Sequence, residues 1–336
     1  DLFEKVGMGA EEASATSGCL IKTNLWGVDS HGVLRVPVYL KRLKKGAINP
    51  TPEIKTVIDK DGPVALLDGD GGMGFGLGIA GMKNAMRQAK KFGIGLTMVR
   101  NSNHFGAAAL YTRMAAEDGM IGIATTNVIP NIGMKGNAKP SVGNNPIAMA
   151  APMTGDFPFV LDISLSSVAG GKLLLAVKKG EKIPKDWAVT KEGEETDDPQ
   201  KGFDGFLLPT GLHKGYGLAL FVDLITGLLS GGPFLQGLRS MYKHPNDPSL
   251  TTHTFICIDP SFFMKPEEYY ERITEWAQMV HETPMTEVGA KQVIPGEIEF
   301  NLENERKASG IPLPKQLLEE FKEVAAELGV EFSLSN

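Results

Sequence analysis

At 336 residues the chain predicts about two domains, by a soft prior of roughly 150 residues each, and it is long enough to bury a large core. Its 42% hydrophobic and 22% charged residues suit an ordinary soluble globular protein, and a formal net charge of −6 argues against a nucleic-acid surface, which needs a concentrated basic patch. Only Cys19 and Cys257 are present, in no metal or redox spacing, which argues against a disulfide framework and fits a reducing cytoplasm.

The opening DLFEKVG is charged and amphipathic, without a signal-peptide pattern, and its first residue is not Met, which leaves the true start open. AEEASATSGCLIKTNLWG, from Ala10, predicts an amphipathic helix. DSHGVLRVP follows as a turn, and Pro37 starts a short helix, VYLKRLKK, stopped by Gly46. The basic cluster Lys41, Arg42, Lys44 and Lys45 is explained as the end of that helix, where cations suit the dipole. INPTPEIK reads as an irregular connector, since Pro50 and Pro52 disfavour helix.

From about residue 62 the runs VALLD, GIGLTMVR, IGIATTNV, AMAAP and FVLDIS read as short, apolar, Gly-bounded strands. The helices MKNAMRQAKK and AALYTRMAAEDG alternate with the first three. Residues 178–205 form a polar, loop-rich excursion with solvated charges. GLALFVDLITGLLSG is too short for a membrane span, carries Asp223 in its middle, and reads as a core helix. PEEYYERITEWAQMVHE and PKQLLEEFKEVAAELG close the chain as helices, with stripes at Tyr269, Ile273, Trp276 and Val280 and at Leu317, Phe321, Val324 and Leu328. Those stripes suit core or subunit contacts. Helical ends around a mixed centre predict a discontinuous helical domain, 1–65 plus 262–336, with a strand-rich domain, 66–261, inserted.

The densest glycine patch, GDGGMGFGLGIAG, fits G-x-G-x-x-G at Gly69, Gly71 and Gly74 and again at Gly76, Gly78 and Gly81. A dinucleotide fingerprint also wants an acidic residue after the next strand, and GIGLTMV ends instead in Arg100 and Asn101. Two matching registers in a glycine-rich chain make neither informative. The patch reads as a turn capping a helix that starts near Ile79.

His31 in DSHG and His104 in RNSNHFGAA each abut a glycine that allows close approach, and His104 falls where an apolar strand meets a helix start. His213, before Lys214 in LHKGYG, is a third candidate. Arg35 and Tyr39 follow His31 at steps of four and would face one way on a near-helical segment. An arginine clamps a carboxylate through two parallel donors, and a neutral imidazole can exchange the proton of an alcohol. Lys214 at the head of an apolar helix sits where amides and dipole favour a phosphate. No metal pattern, nucleophile elbow or P-loop is present. The set points to redox chemistry on a small anionic substrate.

DSHGVLRVPVYLKRLKKGAINP, VRNSNHFGAAALYTRMA, the GNNP of PSVGNNPIAMAAP, VLDISLS, IPKDWAVTKEGEETDDP, LHKGYGLAL and IPGEIEF together resemble the malate/L-lactate dehydrogenase family of type 2, in order, from about residue 10 to 330. The resemblance implies an α+β fold in which a non-Rossmann, mixed and largely antiparallel sheet domain binds NAD or NADP, inserted in a mostly helical domain that helps form a homodimer. It places the family's two proposed proton-transfer histidines on His104, favoured here, and His31, and its substrate-carboxylate arginine on Arg35, with Tyr39 beside it. Cofactor contacts fall on Val160, Leu161, Asp162, Ile163, Ser164, Leu165 and Ser166, on His213 and Lys214, and on Gly296, Glu297 and Ile298. The chain departs from the family in SLSSVAGGKLL and around YKHPND, on the substrate side between 239 and 253. The implied reaction is hydride transfer between NAD(P) and a small 2-hydroxy acid, malate/oxaloacetate first. Lactate, sulfolactate, ureidoglycolate, diketogulonate and cyclic imines are the alternatives, and a catalytically inactive ligand-binding homologue is the other class. No metal, nucleic-acid or membrane partner is expected.

Overall fold

In the computed structural model, which describes residues 1–287 and 289–332, the chain begins with helices. They are α1 (Leu2–Lys5), α2 (Ala10–Leu25) and α3 (Val36–Lys44), with two 3-10 turns, Asp29–His31 and Val33–Arg35, between the last two. Pro37 in its first turn and Lys41, Arg42 and Lys44 in its last give α3 the polarity expected of it.

The five predicted strands are present as β2 (Val64–Asp68), β3 (Ile94–Ser102), β4 (Ile121–Thr126), β5 (Ile147–Ala151) and β6 (Phe159–Ile163). Two more complete the sheet: β1 (Lys55–Asp59), which begins at the last residue of the expected connector INPTPEIK, and β9 (Thr251–Ile258). The order is β1-β2-β3-β9-β4-β5-β6, and only β2 and β3 run parallel. β9 lies between β3 and β4, so His253 stands opposite both Val99 and Thr126. A separate two-stranded ribbon joins β7 (Ala188–Val189) to β8 (Phe206–Leu207).

Helix α4 (Gly74–Phe92) packs on β3 and β9, and α5 (Ala109–Glu117) packs on β4 and β5. The main core lies between them and the sheet, with Phe75, Met82, Tyr111 and Phe255 fully buried. A second core under the excursion gathers Ile132, Leu165, Leu173, Ile183 and Val222. That stretch, expected to be solvated, is therefore anchored from within, although Lys182 and Asp197 pair on its surface. α6 (Gly170–Lys179) runs into it, α7 (Pro199–Asp204) lies within it, and α8 (His213–Asp223) follows.

Two predictions need correcting. The helix after the glycine patch begins at Gly74, not near Ile79, so only Gly69–Gly72 form a turn, with Gly71 at φ +70°. Gly76, Gly78 and Gly81 are packing positions inside α4, where a Cβ would run into the Glu12 carboxylate, the Tyr111 ring and the Phe255 ring. The second correction concerns GLALFVDLITGLLSG. It forms α8 and a π-helical turn, Leu224–Leu228, that buries Ala219 and Val222 but leaves Leu218, Phe221, Leu224, Leu228 and Leu229 exposed. It is half a core helix.

After β9 come α9 (Pro266–His281), α10 (Glu297–Ser309) and α11 (Lys315–Leu328). No residue of α9 is buried within the chain. Helix α11 buries Leu317, Phe321 and Ala325 and packs on α1 and α3, while α10 packs on α2. Among the described residues, no helix is long and apolar enough to cross a membrane.

Candidate active site

The SHG turn is shaped by Asn24 at the end of α2. Its Oδ1 accepts from the Val33 N–H at 2.7 Å, its Nδ2 donates to Asp29 at 2.6 Å, and a side chain at Gly32 would overlap it. Arg306 of α10 grips the same Asp29 with both terminal nitrogens, at 2.7 and 3.1 Å. That pair holds the carboxyl of Asp29 below its ordinary range against the opposing effect of burial.

His31 projects from this turn and His104 from the loop between β3 and α5. Their rings stack with centroids 5.5 Å apart and planes 20° apart. Tyr39, buried in α3, brings its hydroxyl to 2.6 Å from His104 Nδ1, and the Gly106 N–H reaches the same nitrogen at 3.3 Å. An amide N–H can only donate, so Nδ1 carries the lone pair and the ring proton of neutral His104 lies on Nε2. Arg35, one helical turn before Tyr39, donates its Nε to Ser30 O at 2.6 Å. The Tyr242 ring lies 5.8 Å from its guanidinium carbon, within cation–π range. The structure thus brings together all four residues the sequence nominated for substrate chemistry.

The electrostatics favour anions. Burial, and then the Arg35 charge, press His31 down to about 4, and burial with His31, Arg35, His253 and Arg42 keeps His104 well below the usual imidazole value. Both rings are neutral at pH 7, and the charges that act on His104 come from histidines and arginines. Burial raises Tyr39 beyond the normal phenol range, so its hydroxyl keeps its proton.

The residues nominated for cofactor contacts lie on three connected pieces. Asp162 on β6 accepts the Ala109 N–H at the start of α5, at 2.9 Å, tying β6 to the helix that follows the His104 loop. Asp162 is crowded by protein, which pushes it up to about 6, yet its surface stays open to water. Val160 and Leu161 are half-buried and Ile163 is exposed, whereas Leu165 and Ser166 turn inward. Ser164 shares a 3.0 Å hydrogen bond with Ser166. Beyond Ser164 the strand runs beside the segment leading to α8: Thr210 N–H donates to Leu165 O and Ser167 N–H to Leu208 O. His213 and Lys214 stand exposed on the first turn of α8. The Pro295 carbonyl accepts the Val160 N–H at 2.9 Å, which lays the Gly296 turn on β6. There Glu297 binds His281 and the Ile294 amide, and Ile298 is exposed.

The glycine patch holds no such place. At the first turn of α4, where a fingerprint would receive a phosphate, the Glu12 carboxylate already lies against the Gly76 amide. The turn before it serves the histidine loop instead, because Gly71 O and Gly72 O accept both donors of Asn103, next to His104.

Sequence reasoning missed two residues. Arg42, read as part of a basic helix end, is 1% exposed and hydrogen-bonded, and Asn103 is its buried partner. Their signal lies only in the three-residue step from Tyr39 to Arg42, which puts both on one face of α3.

The chain is similar to known hydroxy-acid dehydrogenases. A sequence model described as malate/L-lactate dehydrogenase matches residues 1–322. The malate dehydrogenase of Pyrococcus horikoshii is 39% identical over 339 residues, covering 98% of this chain and 92% of its own. The L-sulfolactate dehydrogenase of Methanocaldococcus jannaschii is 38% identical over 331 residues, covering 98% and 94%. The solved structure of sulfolactate dehydrogenase from the same organism superposes with a TM-score of 0.92 at 37% identity, covering 98% of this chain and 94% of that one.

Proposed function

The chain belongs to the malate/L-lactate dehydrogenase family, hydroxy-acid dehydrogenases that use a nicotinamide cofactor, and from that premise we propose that it interconverts a small 2-oxo acid and its 2-hydroxy acid, oxaloacetate and malate first. The observation that carries this reading is the Tyr39–His104 hydrogen bond at 2.6 Å with Arg35 one turn away. It combines a proton-exchanging imidazole with a clamp for a carboxylate.

The donor set suits NAD or NADP. Asp162 offers a solvent-exposed carboxylate acceptor, Lys214 and His213 sit on a helix N-terminus suited to a diphosphate, and the Gly296–Ile298 turn lies against Val160. When bound, the nicotinamide supplies or takes the hydride. The rest falls to this chain. Arg35 fixes the substrate carboxylate and so orients the neighbouring carbon. In reduction His104, carrying a second proton as imidazolium, gives its Nε2 proton to the oxygen that becomes the hydroxyl and is left neutral, and in oxidation the neutral ring takes that proton back at Nε2. Tyr39, which can either donate to or accept from Nδ1, lets the ring change its proton count in both directions. His31, stacked on His104, is the competing proton-transfer residue.

In this reading the sheet domain, residues 66–261, is a non-Rossmann cofactor domain inserted between helical pieces 1–65 and 262–336. A homodimer is supported by α9, none of whose residues is buried in the chain, and by the apolar residues exposed along α8. A catalytically inactive ligand-binding homologue is disfavoured because His31, Arg35, His104 and Lys214 are all intact. A reduction assay crossing NADH and NADPH with oxaloacetate, pyruvate, sulfopyruvate and a cyclic imine tests the proposal. The expected result is fastest turnover with oxaloacetate. Turnover of another substrate alone moves the assignment within the family, and oxidation of neither cofactor favours the inactive homologue.

A further inference from the structure

Arg42 is among the largest fully buried side chains, and it meets no carboxylate at salt-bridge distance among the described residues. Its Nη2 donates to Asn103 Oδ1 at 3.1 Å, to Asp247 O at 2.9 Å and to Ser249 Oγ at 3.1 Å, and its Nη1 donates to His244 O at 3.3 Å. Taking a guanidinium out of water is costly, and neutral acceptors repay less of that cost than a carboxylate would. What the fork gains here is geometry, because its acceptors come from two segments remote in sequence.

Each segment borders the proposed site. Asn103 precedes His104, and its Oδ1 also accepts the Ser249 N–H at 3.3 Å while its Nδ2 spans the carbonyls of Gly71 and Gly72. The 244–249 segment continues from Tyr242, whose ring lies over Arg35. Arg42 itself is three residues beyond Tyr39 on α3, so one buried fork ties the helix that carries Tyr39 to the loop that carries His104 and to the segment above Arg35.

Resting on the reading of His104 as the proton-transfer residue, we propose that Arg42 is a positioning residue: through Asn103 and the 244–249 segment it sets the Tyr39–His104 hydrogen bond and the place of Tyr242 over Arg35. It touches neither substrate nor His104.

The test compares Arg42→Met and Arg42→Lys with the native chain and with His104→Ala. Each variant is checked for fold by circular dichroism, and the His104 nitrogens of the two Arg42 variants are followed by NMR. Arg42→Met is expected to lose kcat by about 10², the scale of a misplacement near 1 Å, with the KM for the nicotinamide cofactor within about twofold of the native value. Its Nδ1 and Nε2 signals should leave the single Nε2–H form. Arg42→Lys keeps the charge without the fork, so it should show a smaller kcat loss and the same change in the His104 signals. A folded Arg42→Met with native kcat, or with native His104 signals, overturns the proposal. If Arg42→Met does not fold, Arg42→Lys decides by the same two readouts. A large kcat loss in His104→Ala with none in Arg42→Met removes the positioning role alone, whereas native turnover in His104→Ala removes the proton-transfer reading together with it.

Discussion

The Tyr39 hydroxyl and His104 Nδ1 meet at 2.6 Å, and the second donor on that nitrogen, the Gly106 amide, fixes the ring proton on Nε2. No protein group among the described residues bonds Nε2, so the ring edge where a proton is exchanged faces whatever enters the site. His104→Ala is expected to lower kcat by about 10² to 10⁴ while cofactor binding, followed by fluorescence titration, survives. Near-native turnover would transfer the role to His31.

Tyr39→Phe keeps the buried ring and deletes only the hydroxyl. The net worth of one hydrogen bond predicts a loss of about three- to tenfold in kcat. Substrate KM should hardly change, because Tyr39 acts on the imidazole. A variant that changes KM alone would place the hydroxyl on the substrate instead.

Arg35→Lys keeps the charge and removes the planar fork. With a charge-assisted pair worth about 1.5–3 kcal/mol, kcat/KM for the oxo acid should fall about 10- to 100-fold, mostly through KM. The KM for the cofactor should stay put. Equal loss with a neutral ketone lacking the carboxylate would refute the clamp.

His253 is fully buried, with Nδ1 at 2.7 Å from Thr126 Oγ1 and Nε2 at 2.8 Å from Ser102 Oγ, and burial presses it down to about 3. In the unfolded chain it titrates near pH ~6.5. Between those values the unfolded chain binds a proton that the folded chain refuses, so stability is full above about pH 6.5 and falls as the pH drops, by about 1.4 kcal/mol per unit. His31 and His104 act in the same sense, whereas Asp162, raised to about 6, acts in the opposite sense above its unfolded value. Melting temperatures should therefore decline from neutral pH towards about pH 5, and less steeply in His253→Asn. An identical slope in that variant would mean His253 is not the group concerned.

The strands that alternate or run apolar were legible, as were the SHG and SNH turns, because each signal is local. β1 escaped notice because all five of its residues are exposed, leaving no buried face to set a period. β9 hides its pattern by burying Thr252, His253 and Thr254, whose polar groups are met mainly by strands and loops distant in sequence. α10 docks through Glu303 on Trp26 and Arg113 and through Arg306 on Asp29, so ion pairs replace the apolar stripe that would have announced it. Arg42 was unreadable for the same reason: its partners lie 61 to 207 residues away. The glycines of α4 hid its first turns, because small residues pattern alike in a loop and against a neighbouring ring.

The place of β9 between β3 and β4 has a consequence for how the chain comes off the ribosome. The two strands that flank the middle of the sheet are made by residue 126, but the one that joins them ends at Ile258. Until then each shows an open edge, and closing the sheet waits on a loop of more than a hundred residues, a slow step that invites pairing with other nascent chains. Fragments ending before Thr251 should accumulate as aggregates, and a chaperone that shields strand edges should raise the yield of the full-length chain more than one that merely slows synthesis.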